Sequence, residues 1–480
     1  MNIKDMPIFA PVQCLEGVAV MTSQRSWTWR QVHLASVALA KRLEHISLVC
    51  NLCTSQLGFV ITFLAALRCG ATQIFPPSRG QRDLTAVLSE KTQATIIVQD
   101  VLDELFYFPS HCVTLELNPE SEVPSPGSAL NPNLHILDAQ LAWSLSLDRP
   151  VLTLYTSGHT ERPESKSKSL QQLITGAQLL GERIEGIVDG NGIHSIQALL
   201  SSVFPQHMFG IEASLMLSLV FGKPVFDQRP LLPADIQAAL AACPPQTAWI
   251  TTPLHMCGLV RAHTPLEHCS LVIASTMPLS ADIAQQAEQL AQCPVLEIYG
   301  STETGAIATR QTARDSTWQF LSGVQTVQSP GQDAPEAVTG SHFSSPQQLN
   351  DILELDPCML GHFKLQGRKS DFIKVGGRRT SLATLNMALQ ELYGLDDGVF
   401  YLPDSKSPDQ RLVMIYVSDR LGNQDLRAAL ASKIDPNFIP RTLIKVDRLP
   451  RGDRGKILAG SLAHIHAQWM SERKLEKKPC

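Results

Sequence analysis

The 480-residue sequence predicts an α/β protein: a large N-terminal domain of mostly parallel sheets with flanking helices, then a small α+β C-terminal domain. Three observations predict it. Short apolar runs alternate with amphipathic stretches over most of the chain, as parallel βα units require. Beyond Lys369 the pattern changes to strands and helices packed within about 110 residues, a common domain size. Hydrophobic residues are 44% and charged residues 18%, the balance of a globular chain with a sizeable core. The boundary falls near Lys369, giving residues 1–368 and 369–480.

Trp27-Thr28-Trp29 precedes VHLASVALAKRLEHI, whose apolar spacing is helical, so Thr28 is a candidate cap. GFVITFLAALRCGATQIF (58–75) is the most apolar window. Arg68 and Gly70 interrupt it, so it reads as a buried helix over 57–68 running into a strand, not a membrane span. DLTAVLSEKTQ (83–93) reads as a helix and ATIIVQD (94–100) as a buried strand. Residues 118–134 are rich in Pro, Asn and Ser and read as a surface loop. VLTLYTSG (151–158) is a strand, followed by a long helix from about Ser169 to Glu185. TAWITTP (247–253), LVIAS (271–275) and VLEIYG (295–300) continue the βα alternation. Residues 323–347 show little periodicity and read as an irregular or mobile loop. FKLQGR (363–368), DFIKV (371–375), GVFYLP (398–403) and RLVMIYVS (411–418) are strands, with helices over 381–393 and 424–433.

A net charge of −5 gives no support for nucleic-acid binding. The basic end SERKLEKKPC reads as a solvated helix terminus. The N-terminus has no apolar signal-peptide core, and the eleven cysteines read as reduced, mostly buried thiols of a cytoplasmic protein.

Four stretches carry chemistry. TSGHTERPESKSKS (156–169) places hydroxyls and a glycine between a strand and a helix, where backbone N–H groups and a helix N-terminus can hold an anion. EIYGSTETG (297–305) delivers an aromatic ring, a glycine, a hydroxyl and a carboxylate at a strand end. Such a carboxylate can hold Mg²⁺ against phosphate oxygens. GRKSDFIKVGGRR (367–379) sets Arg368 before a glycine pair. LPRGDRGKI (449–457) places Lys456 in a glycine-rich segment. Each has a bland alternative: a surface turn, a capped turn, a solvated hairpin, a surface lysine.

In this order, the four stretches resemble the adenylate-forming superfamily of acyl-CoA synthetases, aryl-acid ligases and peptide-synthetase adenylation domains. SWTWRQV (26–32), FPQHMFGIEAS (204–214) and TTPLHMCGLV (251–260) give a finer resemblance to short AMP ligases of aryl polyene pathways. The resemblance implies attack of a carboxylate on the α-phosphate of ATP, loss of pyrophosphate, and transfer of the acyl group to a thiol of CoA or of a carrier protein's phosphopantetheine. Lys456 would bridge carboxylate and α-phosphate. Glu303 would hold Mg²⁺ and Thr302 would contact phosphate. Thr156, Ser157, Gly158 and Thr160 would form the phosphate loop. Tyr299 and Gly300, with Ala274 and Ser275, would line the adenine site. Arg368 and an aspartate, Asp351 or Asp356, would bind the ribose, Asp351 being preferred. His207 would sit by the acyl pocket. The C-terminal domain would rotate about Lys369-Ser370-Asp371, making it mobile.

One departure bears on activity. The family loop reads TSG[ST]TGxPK, whereas here Glu161 and Glu164 replace its glycine and lysine. One misplaced unit charge at ~4 Å is worth about 4 kcal/mol at a surface-like dielectric, before screening. Arg162 or Lys166 could compensate. Two readings stay open: an active acid–thiol ligase, or an impaired relative that binds nucleotide or acyl group and acts through a partner.

Overall fold

The computed structural model describes residues 15–89, 91, 94–98, 112–114, 146–156, 164–188, 192–328, 334–368, 372–375, 378–403, 412–451, 457 and 460–476. Residues 118–134, read from sequence as a loop, lie outside them.

Two sheets dominate the first part. One has six strands in the order Cys112–Thr114, Ala94–Val98, Leu48–Asn51, Thr72–Phe75, Pro150–Thr156, Glu164–Ser169. All its neighbours are parallel except the last pair. The other has eleven strands. Its centre is the parallel series Val295–Ser301, Cys269–Ala274, Thr247–Thr251, Ala198–Ser201, Val225–Phe226 and Val18–Met21. Antiparallel strands extend it at both ends, including Asp351–Leu355 paired with His362–Arg368.

Helices between the strands bury apolar faces, as the sequence pattern requires. Thr28 caps Trp29–Arg42 in a reciprocal capping box with Gln31. Ser55 caps Gln56–Cys69, and Gly70 ends it at φ 79°, a left-handed position suited to glycine. That helix is buried along almost its whole length, which explains its apolarity without a membrane. Among the described residues no helix is long and apolar enough to cross one. Phe59 and Phe63 of this helix and Leu173, Ala177 and Leu180 of Leu170–Glu185 share one core with Val49 and Leu152 of the smaller sheet and Leu199 and Ile250 of the larger. Each of these side chains other than Ala177 contributes about 1.5–3 kcal/mol on burial.

Cys50 and Cys53 form a CxxC pair, but both are buried and outside any disulfide, and burial pushes the Cys50 thiol up to about 12. These are packing residues. Residues 323–328 and 334–347 are more ordered than their composition predicts. Gln325–Val327, Ala337–Thr339 and Gln347–Gln348 form a three-stranded antiparallel sheet, with Val338 fully buried. Buried Val338, Phe343 and Leu349 anchor it to the main core, a tertiary contact that local periodicity does not register.

After Arg368 come a hairpin of Phe372–Val375 with Arg378–Ser381, the helix Leu382–Gln390, and a separate sheet of Asp397–Tyr401, Val413–Val417 and Thr442–Lys445. Leu385, Leu389, Phe400, Met414, Leu426 and Leu430 make a core of their own. The terminal helix Ser461–Glu476 lays Leu462, Ile465 and Trp469 on that sheet's other face.

Candidate active site

The parallel strands Cys269–Ala274 and Val295–Ser301 end side by side, and ligands of open α/β sheets bind at such carboxyl ends. A cleft of about 710 Å³ opens there. Ser275, Thr276, Tyr299, Gly300, Asp351 and Arg368 line one wall, and Leu382, Asp397 and Arg451 of the C-terminal part line the other. The two walls touch through Gln390, whose Nε2 donates to Pro278 O (2.8 Å) and whose Oε1 accepts from Ser280 N (3.2 Å).

Tyr299 is fixed by both ends. Its ring packs on Trp318 and Phe363, with centroids 5.5 and 6.0 Å away. Its hydroxyl donates to Asp351 Oδ2 at 2.8 Å. Burial, then the adjacent Asp351 charge, raises the phenol well above its ordinary range. Arg368 Nε lies 3.6 Å from Asp351 Oδ1, the two residues being register partners across adjacent strands. Asp356 is instead half-buried just past the strand end, where it accepts hydrogen bonds from Cys358 N (2.8 Å) and Met359 N (3.1 Å). Of the two aspartates, only Asp351 is on the cleft wall. Ser275 also lines the cleft and donates to Ile298 O at 2.9 Å, while Ala274 is fully buried behind it. Thr276 holds φ 85°, a strained conformation for a β-branched residue. Its hydroxyl oxygen is buried without a partner.

Ser301 to Gly305 is the turn of an antiparallel hairpin. A Cβ at Gly300 would lie 2.0 Å from Gly305 O, so only glycine fits that close approach. Thr302 and Glu303 occupy the turn, both partly exposed. Lys168 Nζ donates to Glu303 O at 2.6 Å, and Lys166 Nζ lies 3.8 Å from Glu303 Oε1. No group of three or more His, Cys, Asp or Glu is placed to hold a metal among the described residues. A single carboxylate here fits Mg²⁺, which takes its other ligands from phosphate and water.

The first motif differs from expectation. Thr156 closes its strand, its side chain not being described, and Ser157, Gly158, Thr160, Glu161 and Arg162 lie outside the described residues. The helix begins at Leu170, as the sequence predicts, but a strand precedes it. Glu164–Ser169 forms an intervening strand antiparallel to Pro150–Thr156. The cause is visible in ESKSKS: its period of two puts Glu164, Lys166 and Lys168 on one face and the serines on the other. The helix N-terminus at Leu170 is capped by Ser169 and Gln172.

Lys456 and the Gly376-Gly377 pair lie outside the described residues, as do Lys369-Ser370-Asp371. Arg451 and Ile457, flanking residues 452–456, both line the cleft. Arg451 holds Asp397 through two 2.7 Å bonds. His207 precedes the short helix Met208–Gly210 without a side-chain cap bond, its ring edge-on to Phe204, and is not on the cleft wall.

Sequence reasoning missed a buried polar cluster behind the hairpin. Glu212, in the π-helix Ile211–Met216, accepts from Ala306 N at 2.9 Å; burial pushes its carboxyl up to about 7, against the opposing pull of Lys168. His342 Nε2 lies 2.8 Å from Ala306 O, and burial lowers that imidazole to about 4. The lone acid in the apolar run FGIEASLML was the available signal.

Similarities to known proteins agree with this geometry. An anthranilate CoA ligase solved with anthranoyl-AMP superposes with TM-score 0.77 at 15% identity, over 98% of this chain and 100% of that one. An o-succinylbenzoate CoA synthetase from Bacillus subtilis, solved with AMP, gives 0.74 at 15% identity, over 94% and 96%. These likenesses establish the fold. Among curated proteins, an isonitrile lipopeptide synthase of Mycobacterium tuberculosis is 31% identical over 100 residues, 20% of this chain and 4% of that protein. A mitochondrial acetyl-coenzyme A synthetase 2-like protein of Homo sapiens is 26% identical over 111 residues, 22% and 16%. The alignments thus span only a small share of these curated relatives. The family model "AMP-binding enzyme" matches residues 10–333, about two thirds of the sequence, and the chain belongs to that family.

Proposed function

We propose that this protein activates a small carboxylic acid with ATP, forming an acyl-adenylate and pyrophosphate, and passes the acyl group to the thiol of CoA or of a carrier protein's phosphopantetheine. The observation that carries this reading is the joint placement of Ser275, Tyr299, Asp351 and Arg368 on one wall of the 710 Å³ cleft at the sheet's carboxyl end. A flat ring, a carboxylate and a guanidinium suit a base, a pair of ribose hydroxyls and a nearby anion.

Tyr299 flanks the adenine. Asp351, oriented by the Tyr299 hydroxyl and Arg368, accepts from the ribose hydroxyls. The first half-reaction brings carboxylate and phosphate together, so placed cations dominate it. Lys456 bridges the two anions, and Thr302 contacts phosphate. Glu303 would hold Mg²⁺, which supplies charge neutralisation on the phosphates. His207 borders the acyl pocket. Residues 369–480 then rotate as a domain about Lys369-Ser370-Asp371, withdrawing Lys456 and admitting the thiol, a hinge motion. An aryl acid is the favoured substrate, supported by the aryl-acid ligases that share the fold and by the finer sequence resemblance. That resemblance also favours a role in aryl polyene or related lipid synthesis.

The test is hydroxylamine trapping. Protein, ATP and Mg²⁺ are incubated with benzoates, cinnamates and fatty acids, and hydroxamates are identified by mass spectrometry. A hydroxamate that needs both ATP and acid supports the reading; none from any acid sinks it.

A further inference from the structure

The family's loop lysine stands at the position of Glu164, so the phosphates need another cation. We propose that Lys166 supplies it, facing the β- and γ-phosphates of ATP from two residues further along the strand. This rests on the ATP-dependent reading above.

The strand geometry allows the exchange. Residues two apart in a strand share a face and are about 7 Å apart, within the reach of a lysine side chain. Lys166 Nζ already reaches toward the turn that carries the proposed metal carboxylate. It stands 3.4 Å from Glu164 Oε2 and 3.8 Å from Glu303 Oε1. The ammonium thus lies between Glu164 and the Glu303 turn. Both bridges are partly exposed, with Lys166 at 33% and Glu164 at 60%. Such pairs hold weakly and exchange readily for a stronger anion. A triphosphate, offering charge-assisted bonds from several oxygens, is one.

Lys168 cannot take this part. It is 3% exposed, it donates to the Glu303 carbonyl, and its nearest charges are Glu212 and Glu303. It positions the turn. The two lysines divide the work: Lys168 fixes the Glu303 turn and Lys166 meets the ligand. The competing account is a solvated surface pair of Lys166 with Glu164, which gives ATP no special dependence on Lys166.

Calorimetric titration of wild type, Lys166→Ala, Lys166→Arg and Glu164→Gln with Mg·ATP and with AMP separates the two. AMP lacks the β- and γ-phosphates and serves as the fold control. Lys166→Ala should weaken ATP about tenfold or more, the worth of a charge-assisted bond, with AMP affinity unchanged. Lys166→Arg should keep ATP affinity, and Glu164→Gln should tighten it. Unchanged ATP affinity in Lys166→Ala, or equal losses for ATP and AMP, overturns the assignment. A wild type that binds neither nucleotide overturns the proposed function as well, whereas a wild type that binds ATP with Lys166→Ala unaffected overturns only the role of Lys166.

Discussion

The Tyr299 hydroxyl donates a 2.8 Å hydrogen bond to Asp351 Oδ2, while Arg368 approaches the other oxygen of the same carboxylate at 3.6 Å. These residues come from three strands and are 52 and 17 positions apart in pairs along the chain. Asp351 is therefore held as an acceptor at the cleft wall, oriented before any ligand arrives.

From this follows a prediction for nucleotide binding. Asp351→Asn should weaken ATP and AMP alike, by about tenfold to a hundredfold, the cost of losing an ionised hydrogen-bond partner. 2′-Deoxy-ATP should lose less on this substitution than ATP does. Asp356→Asn, off the cleft wall, should bind as wild type. Equilibrium titration checks all three, and an Asp356 effect exceeding that of Asp351 reverses the assignment.

Much of this was legible in the sequence. Strand and helix periodicity located most elements, and the YG and GR stretches led to Tyr299 and Arg368. Asp351 was preferred over Asp356 on its local sequence, and in the structure strand register pairs Asp351 directly with Arg368. What stayed hidden depended on contacts distant in sequence. Trp318 and Phe363 become the bed for the Tyr299 ring only when the antiparallel extension of the sheet closes. The sheet within 323–347 exists because it packs on the core. ESKSKS was read as part of a loop leading to a helix, although its period of two is a strand signal.

A second prediction concerns Lys456. Lys456→Ala should slow adenylate formation by about two to three orders of magnitude or more, as loss of a group aligned on developing charge does. ATP affinity should change little, because the lysine acts on the reacting centre. Single-turnover adenylate formation beside ATP titration separates the effects. A normal rate would remove Lys456 from the mechanism.

A third concerns acid stability. His342 titrates near 4 in the folded protein against 6.5 in a free side chain, because burial disfavours its charged form. Below pH 6.5 the unfolded chain takes the proton first. The contribution of neutral His342 is therefore full above pH 6.5 and is lost as pH falls toward 4, by on the order of 3 kcal/mol. His342→Gln removes that titration. The stability gap between wild type and variant, from urea denaturation, should shift in the variant's favour between pH 7 and pH 4.5. A gap independent of pH would contradict it.

The central claim is that a phosphate loop carrying Glu161 and Glu164 still supports adenylation. ATP–pyrophosphate exchange with a panel of aryl and fatty acids measures this directly. Exchange with at least one acid, abolished by Lys456→Ala, is the predicted result. Measurable ATP binding with no exchange for any acid would contradict it and leave a nucleotide-binding relative that acts through a partner.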